Sequence, residues 1–239
     1  MLIGFATDKG KSRASNQDAG YASAENRLLA VADGLGGHSG GAEASNIAVS
    51  SLMTNASDPA VDLAGLGILL EDANRKIMAV AGEIPELSGM GTTMTVAFIR
   101  GGKALIGHVG DSRAYLIRSG EARRLTSDHS LAGQLLSSGV LKQEDVQGHP
   151  GRHAVIKCLG ACEKLEPELL ELNLEPDDVL VLCTDGFWDQ INDLEIAERF
   201  SQTADMMTVC EDMTRLANIR GGGDNITVVA ALLEESDVR

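Results

Sequence analysis

The chain has 239 residues, 44% hydrophobic and 23% charged, a size and balance that fit one large globular domain able to bury most of its unfolded surface. Its formal net charge of −15 repels a polyanionic duplex and argues against nucleic acid as a partner. The start, MLIGFATDKG, has no basic segment followed by an apolar one, and the longest apolar run, LAGLGILL at 63–70, is too short to cross a bilayer, so a cytoplasmic protein without membrane attachment is expected.

Taken in chain order, the strand-like runs are LIGFAT (2–7), RLLAVAD (27–33), TTMTVAFI (92–99), KALIGHV (103–109), RAYLIR (113–118), LLELNL (169–174), DVLVLCT (178–184) and NITVVAALL (225–233). A small-residue helix follows the glycine-rich loop after the second run. Apolar residues at Leu66, Leu70, Ala73, Ile77 and Val80, and again at Met206, Cys210, Met213, Leu216 and Ala217, fall on single helical faces. Hairpin signals stand at RGGK (100–103) and RSGE (118–121). Strands outnumber helices and arrive in consecutive runs, which predicts antiparallel sheets stacked centrally with helices outside. No repeat or proline-rich linker interrupts the chain, so residues 1–239 are expected to form a single domain. The four cysteines, Cys158, Cys162, Cys183 and Cys210, include one close pair, CLGAC, without the second pair of a structural zinc site; they read as reduced, mostly buried thiols.

The stretch LLAVADGLGGHSGGAEAS (28–45) admits two readings, a phosphate cradle or a carboxylate corner for a metal. Spacing counts against the cradle. GFATDKGKS (4–12) puts five residues, not four, between Gly4 and Gly10, and from Gly34 and Gly36 the third glycine of a dinucleotide fingerprint is replaced by Ser39. The metal reading gains from position. Asp33, Asp111 and Asp185 each follow an apolar run, Asp224 immediately precedes one, and Asp18 lies between the first two. An isolated Asp-Gly is usually a turn, but carboxylates gathered at one sheet edge repel unless cations bridge them. Oxygen-only ligands point to Mg²⁺ or Mn²⁺ rather than zinc.

These residues carry a resemblance. RASNQD (13–18), VADGLGGHSGG, GMGTTMTVAFI (89–99), HVGDSRAYLI (108–117), LTSDHS (125–130), HPGRHAVIKCLG (149–160), VLCTDGFWD (181–189) and GGGDNITVV (221–229) stand in the order found in bacterial metal-dependent serine/threonine protein phosphatases of type 2C, the PPM family. The chain resembles that family over nearly its whole length. The resemblance implies an α+β fold, with two antiparallel β-sheets stacked as a central sandwich, helices on both outer faces, and a flap, here 127–160, beside the active site. It also implies dephosphorylation of phosphoserine and phosphothreonine proteins by direct attack of a water activated at a binuclear metal centre, without a phosphoenzyme.

By the same resemblance, Asp33 bridges two tightly bound Mn²⁺ or Mg²⁺ ions, the Gly34 carbonyl serves one of them, and Asp185 and Asp224 complete the other. Asp18 supports a coordinated water, and Asp111 with Asp185 matches a third, looser site. Arg13 holds the substrate phosphate as a guanidinium fork, and His38 is the general acid for the leaving oxygen. Gln17 stands where many relatives have glutamate, and Lys157 where many have arginine. His108, His129, His149 and His153 read as structural, and Trp188 as packing beneath the metal site. Implied partners are phosphorylated proteins and an opposing serine/threonine kinase, with the chain a monomer. Two other readings are a catalytically silent phosphoprotein-binding pseudophosphatase and another two-metal phosphoester hydrolase. The intact set Asp33, Gly34, Asp185 and Asp224 argues against the first, and the acidic surface against a nuclease.

Overall fold

The computed structural model describes residues 1–36, 40–54 and 61–238. One five-stranded sheet contains, in spatial order, β1 (Leu2–Asp8), β12 (Ile226–Leu232), β11 (Val179–Cys183), β8 (Arg113–Arg118) and β9 (Glu121–Arg124). The other contains β10 (Glu168–Asn173), β7 (Lys103–Val109), β6 (Met94–Arg100), β3 (Leu28–Ala32) and β2 (Ala19–Ser23). Every pairing is antiparallel, including the ribbon of β4 (Gly34–Leu35) and β5 (Gly91–Thr92). Both expected hairpins form: Arg100 pairs with Lys103 across Gly101 and Gly102, and Arg118 with Glu121 across Ser119 and Gly120. All four turn residues have positive φ, the geometry that matches the twist of the flanking strands.

Strands with apolar residues at every position are covered on both faces, and their alternation assigns each side chain to a layer. In β3, Leu29 and Val31 meet Ile106, Leu180, Leu182 and Val229 between the sheets. Leu28 and Ala30 face the opposite way, onto Leu52 of α1 (Gly40–Met53) and Leu66, Leu70 and Ile77 of α2 (Leu63–Glu83). On the far side of the other sheet, Val179, Val181, Ile226 and Val228 pack against α6 (Asp193–Ser201) and α7 (Met206–Arg220) through Ile196, Phe200, Met206, Cys210 and Met213. The architecture is therefore the expected α+β sandwich with helices on both outer faces. Shorter helices α3 (Leu131–Ser137), α4 (Gln143–Val146) and α5 (Asp185–Trp188) lie in the connections. Among the described residues no helix is long and apolar enough to cross a membrane.

One expected strand is interrupted. The run 92–99 divides into β5 and β6, with Thr93 between them. Thr93 N donates to the Asp33 carbonyl and Asp33 N donates to Thr93 Oγ1, both at 2.9 Å, which pins the end of β3 to the start of β6.

Candidate metal centre

Antiparallel pairing explains why carboxylates distant in sequence meet, because the end of one strand lies beside the start of its neighbour. Asp18 precedes β2 and Asp33 follows β3, its partner; Asp185 follows β11 and Asp224 precedes β12, its partner. Asp111 follows β7 at the same end of the sandwich. A cavity of about 690 Å³ opens there, lined by Asp33, Asp111, Asp185 and Asp224 together with Arg13 and Gln17. Asp18 sits just beneath, accepting a hydrogen bond from Thr184 Oγ1 at 2.8 Å.

Glycine is required where backbones close on the cavity. A Cβ on Gly34 would lie 2.3 Å from the Gly41 carbonyl oxygen and 2.5 Å from that of Gln17, so only glycine lets β4 lie against the start of α1. Asn225 fastens the opposite wall: its Nδ2 donates to the Lys9 and Ser15 carbonyls and its Oδ1 accepts from Gln17 N. With Lys11 N and Ser12 N donating to the Gly222 carbonyl, these bonds hold the loop that carries Arg13 beside Asp224. Arg13 Nη2 donates to Asp224 Oδ2 at 2.5 Å.

The electrostatics are those of crowded, buried carboxyl groups. Burial, opposed by hydrogen bonds from Thr227 and Thr184, pushes the Asp18 carboxyl up to about 7. Asp33 is held well above the usual carboxylate range by burial and then by Asp18, Asp185, Asp111 and Asp224, and Asp111 likewise by burial and then Asp185. Asp18 Oδ1, Asp111 Oδ2 and Asp185 Oδ1 are buried without a hydrogen-bond partner. Buried polar atoms normally have partners, and three carboxylate oxygens orphaned in one place fit hard divalent cations as their missing counter-charge.

The expected site residues thus fall into two groups. Asp18, Asp33, Gly34, Asp111, Asp185, Asp224 and Arg13 come together around or beneath one cavity. His38 lies outside the described residues. His153, expected to be structural, instead lines the cavity: its Nδ1 is 3.3 Å from Asp185 Oδ2 and its Nε2 3.7 Å from Asp189 Oδ1. The hydrogen bond to Asp185 raises its pKa above the ordinary imidazole range. The remaining histidines have local partners. His108, fully buried, bonds Thr95 Oγ1 at 2.9 Å and the Ser127 carbonyl at 3.0 Å, and burial pushes its pKa down to about 3. His129 Nδ1 accepts from Gly110 N and His149 Nδ1 from Gly151 N. Trp188 packs below the cavity with Nε1 donating to the Asp111 carbonyl at 2.9 Å. Lys157 turns away, donating to the Glu166 carbonyl.

Residues 7–220 match the family model described as Protein phosphatase 2C. The chain belongs to the protein phosphatase 2C family. It is 36% identical over 245 residues to the protein phosphatase PhpP of Streptococcus pneumoniae, the match spanning 99% of each chain. Its fold is similar to that of the Mycobacterium tuberculosis serine/threonine phosphatase PstP/Ppp, with TM-score 0.91 and 36% identity over 98% of this chain and 100% of that one. A structure of the PstP catalytic domain in complex with two manganese ions is similar at TM-score 0.88 and 34% identity, covering 98% of this chain and 99% of that one.

Proposed function

We propose that the protein hydrolyses phosphoserine and phosphothreonine in proteins by direct attack of water, at a centre of two Mn²⁺ or Mg²⁺ ions with a third held more loosely. The observation that carries this reading is the set of orphaned carboxylate oxygens on Asp18, Asp111 and Asp185, gathered with Asp33 and Asp224 at one end of the sandwich of a protein phosphatase 2C chain. Asp33, the Gly34 carbonyl, Asp185 and Asp224 would together hold the two tight ions. Asp18 supports the attacking water through its buried carboxylate, and Asp111 with Asp185 forms the looser position. Cations in these positions supply a nucleophile from water at neutral pH and offset charge on the phosphoryl oxygens.

Arg13 binds two phosphoryl oxygens as a bidentate fork and so fixes the phosphate opposite the carboxylates. With more than half of its side chain exposed at the cavity rim, the guanidinium can exchange Asp224 for substrate. His38 protonates the serine or threonine oxygen as it leaves. Gln17, a neutral amide, contributes hydrogen bonding but no charge, which lowers affinity at its neighbouring cation relative to a glutamate. We assign residues 1–239 to a single cytoplasmic phosphatase domain, monomeric, with 127–160 as a flap over the site and a serine/threonine kinase supplying its substrates. A pseudophosphatase reading has no support in a site with its aspartates in place.

The test is calorimetric titration of Mn²⁺ into the parent and Asp224→Ala. Loss of binding at one tight position, with the circular dichroism of the parent retained, is the expected result; unchanged binding contradicts the assignment.

A further inference from the structure

The segment 149–157 is fastened by backbone hydrogen bonds to His129 and to the first residues of α3. Leu131 N donates to the Ala154 carbonyl, Ala132 N to the Gly151 carbonyl and Ile156 N to the His129 carbonyl. Within it, Arg152 Nη2 reaches the Asp189 carboxylate at 2.7 Å, which anchors the residue next to His153. The His153 ring stacks on Trp188 with centroids 5.6 Å apart and planes 18° apart, and Trp188 carries the Arg113 guanidinium at 3.6 Å from its ring centre. The imidazole is thus oriented on two sides, by an aromatic plane and by the Asp189 carboxylate near Nε2.

That orientation aims Nδ1 into the carboxylate cluster. One oxygen of Asp111, one oxygen of Asp185 and one ring nitrogen of His153 lie within 4.8 Å of one another. An ion pair between His153 and Asp185 would explain the 3.3 Å contact but not the rest, because Asp111, only 2% exposed, keeps Oδ2 buried with no hydrogen-bond partner. A cation between the three answers both. Asp189 Oδ1, 3.7 Å from the other ring nitrogen, stands on the side from which a carboxylate commonly supports a metal-bound histidine.

Resting on the metal-centre reading above, we propose that His153 supplies Nδ1 as a ligand to a cation shared with Asp111 and Asp185, so that this cation ties the 149–157 segment down over the cavity. Two carboxylates and an imidazole suit a borderline transition-metal ion better than Mg²⁺, which takes oxygen ligands and retains its waters. The looser position therefore selects Mn²⁺ over Mg²⁺ by ligand chemistry.

The experiment is pulsed electron paramagnetic resonance of the full chain loaded with Mn²⁺ to saturation, using ¹⁴N modulation as the signature of a directly bound imidazole. The parent is expected to show that modulation, changed in frequency when its histidines carry ¹⁵N. His153→Ala is expected to lose it, while retaining two tight Mn²⁺ sites and weakening the third at least about ten-fold in titration. His153→Ser, small and polar at a half-exposed position, serves as the second variant and is expected to behave alike. Modulation that persists in both variants, or is absent from a parent that binds Mn²⁺, overturns the proposal and leaves the metal-centre reading standing. A parent that binds no Mn²⁺ overturns both.

Discussion

Arg13 and Asp224 form a charge-assisted hydrogen bond of 2.5 Å across the mouth of the carboxylate cavity, joining the expected phosphate-binding arginine to an expected metal ligand. Their side chains are 54% and 31% exposed, so solvent screens the pair and it contributes little to stability. Its consequence is positional: the guanidinium is held at the rim of the cavity in which the phosphate is proposed to bind.

Arg13→Ala is therefore expected to lower kcat/KM roughly ten- to a hundred-fold, the scale of losing charge-assisted hydrogen bonds to a bound anion. Phosphopeptide and p-nitrophenyl phosphate should suffer alike, because the phosphate is common to both. Steady-state kinetics on the two substrates measures it, and an effect confined to one contradicts the role.

His38→Ala should separate the same two substrates. A serine or threonine oxygen needs a proton to leave, whereas p-nitrophenolate does not, and a positioned general acid contributes about 10²–10⁴-fold where protonation matters. Phosphopeptide hydrolysis is expected to fall by that order with p-nitrophenyl phosphate hydrolysis nearly retained and Mn²⁺ affinity unchanged. Equal slowing of both, or rescue by added Mn²⁺, assigns His38 to metal or loop structure instead.

Without metal, the buried carboxylates give stability a pH dependence of definite sign. Burial raises the Asp18 carboxyl from 3.8 to about 7, so the folded state holds a proton that the unfolded chain has released. Stability falls as pH rises through that interval and stays lowered above it. Asp18→Asn removes the ionisation while keeping an oxygen for Thr184. In EDTA the variant is expected to gain stability over the parent increasingly from about pH 4 to about pH 7, with the gap level above that. Urea denaturation across that range measures the gap, and a gap independent of pH contradicts the account.

Arg113 and Asp128 brace Trp188, whose indole donates to the Asp111 carbonyl. Arg113 Nε and Nη2 donate to the two Asp128 oxygens at 2.9 and 2.7 Å, and both side chains are largely buried. Arg113→Ala strands the carboxylate with only Arg124 at 3.4 Å and removes the cation from Trp188. The expected cost is ~3–5 kcal/mol. A loss in urea denaturation below about 1 kcal/mol, the range of exposed pairs, contradicts this reading of the brace.

How much of this was legible in the sequence depends on what each residue answers to. Apolar runs such as LLAVA and VLVLC announced central strands, because burial on both faces demands hydrophobicity at every position. The aspartates were legible as strand ends, and antiparallel pairing did the rest. The edge strand β2, AGYAS, went unpredicted because small residues on a half-buried edge leave no alternation to read. Helix α6 was missed although Asn192 and Glu195 form a capping box, a signal available in NDLE. The place of His153 beside Asp185 was not legible for a different reason. Its place in the cavity comes from backbone bonds between 129–132 and 151–156 and from stacking on Trp188, none of which has a sequence period.

The central claim is that the carboxylate cluster exists to hold divalent cations for phosphoester hydrolysis. Its most direct measurement is phosphate release from a phosphothreonine peptide by EDTA-treated protein, after the chelator is removed and Mn²⁺ is titrated back. The account predicts no release from the stripped protein and a saturable return of activity with Mn²⁺, absent when Asp33→Asn is titrated in the same way. Full activity in the metal-free protein would contradict it.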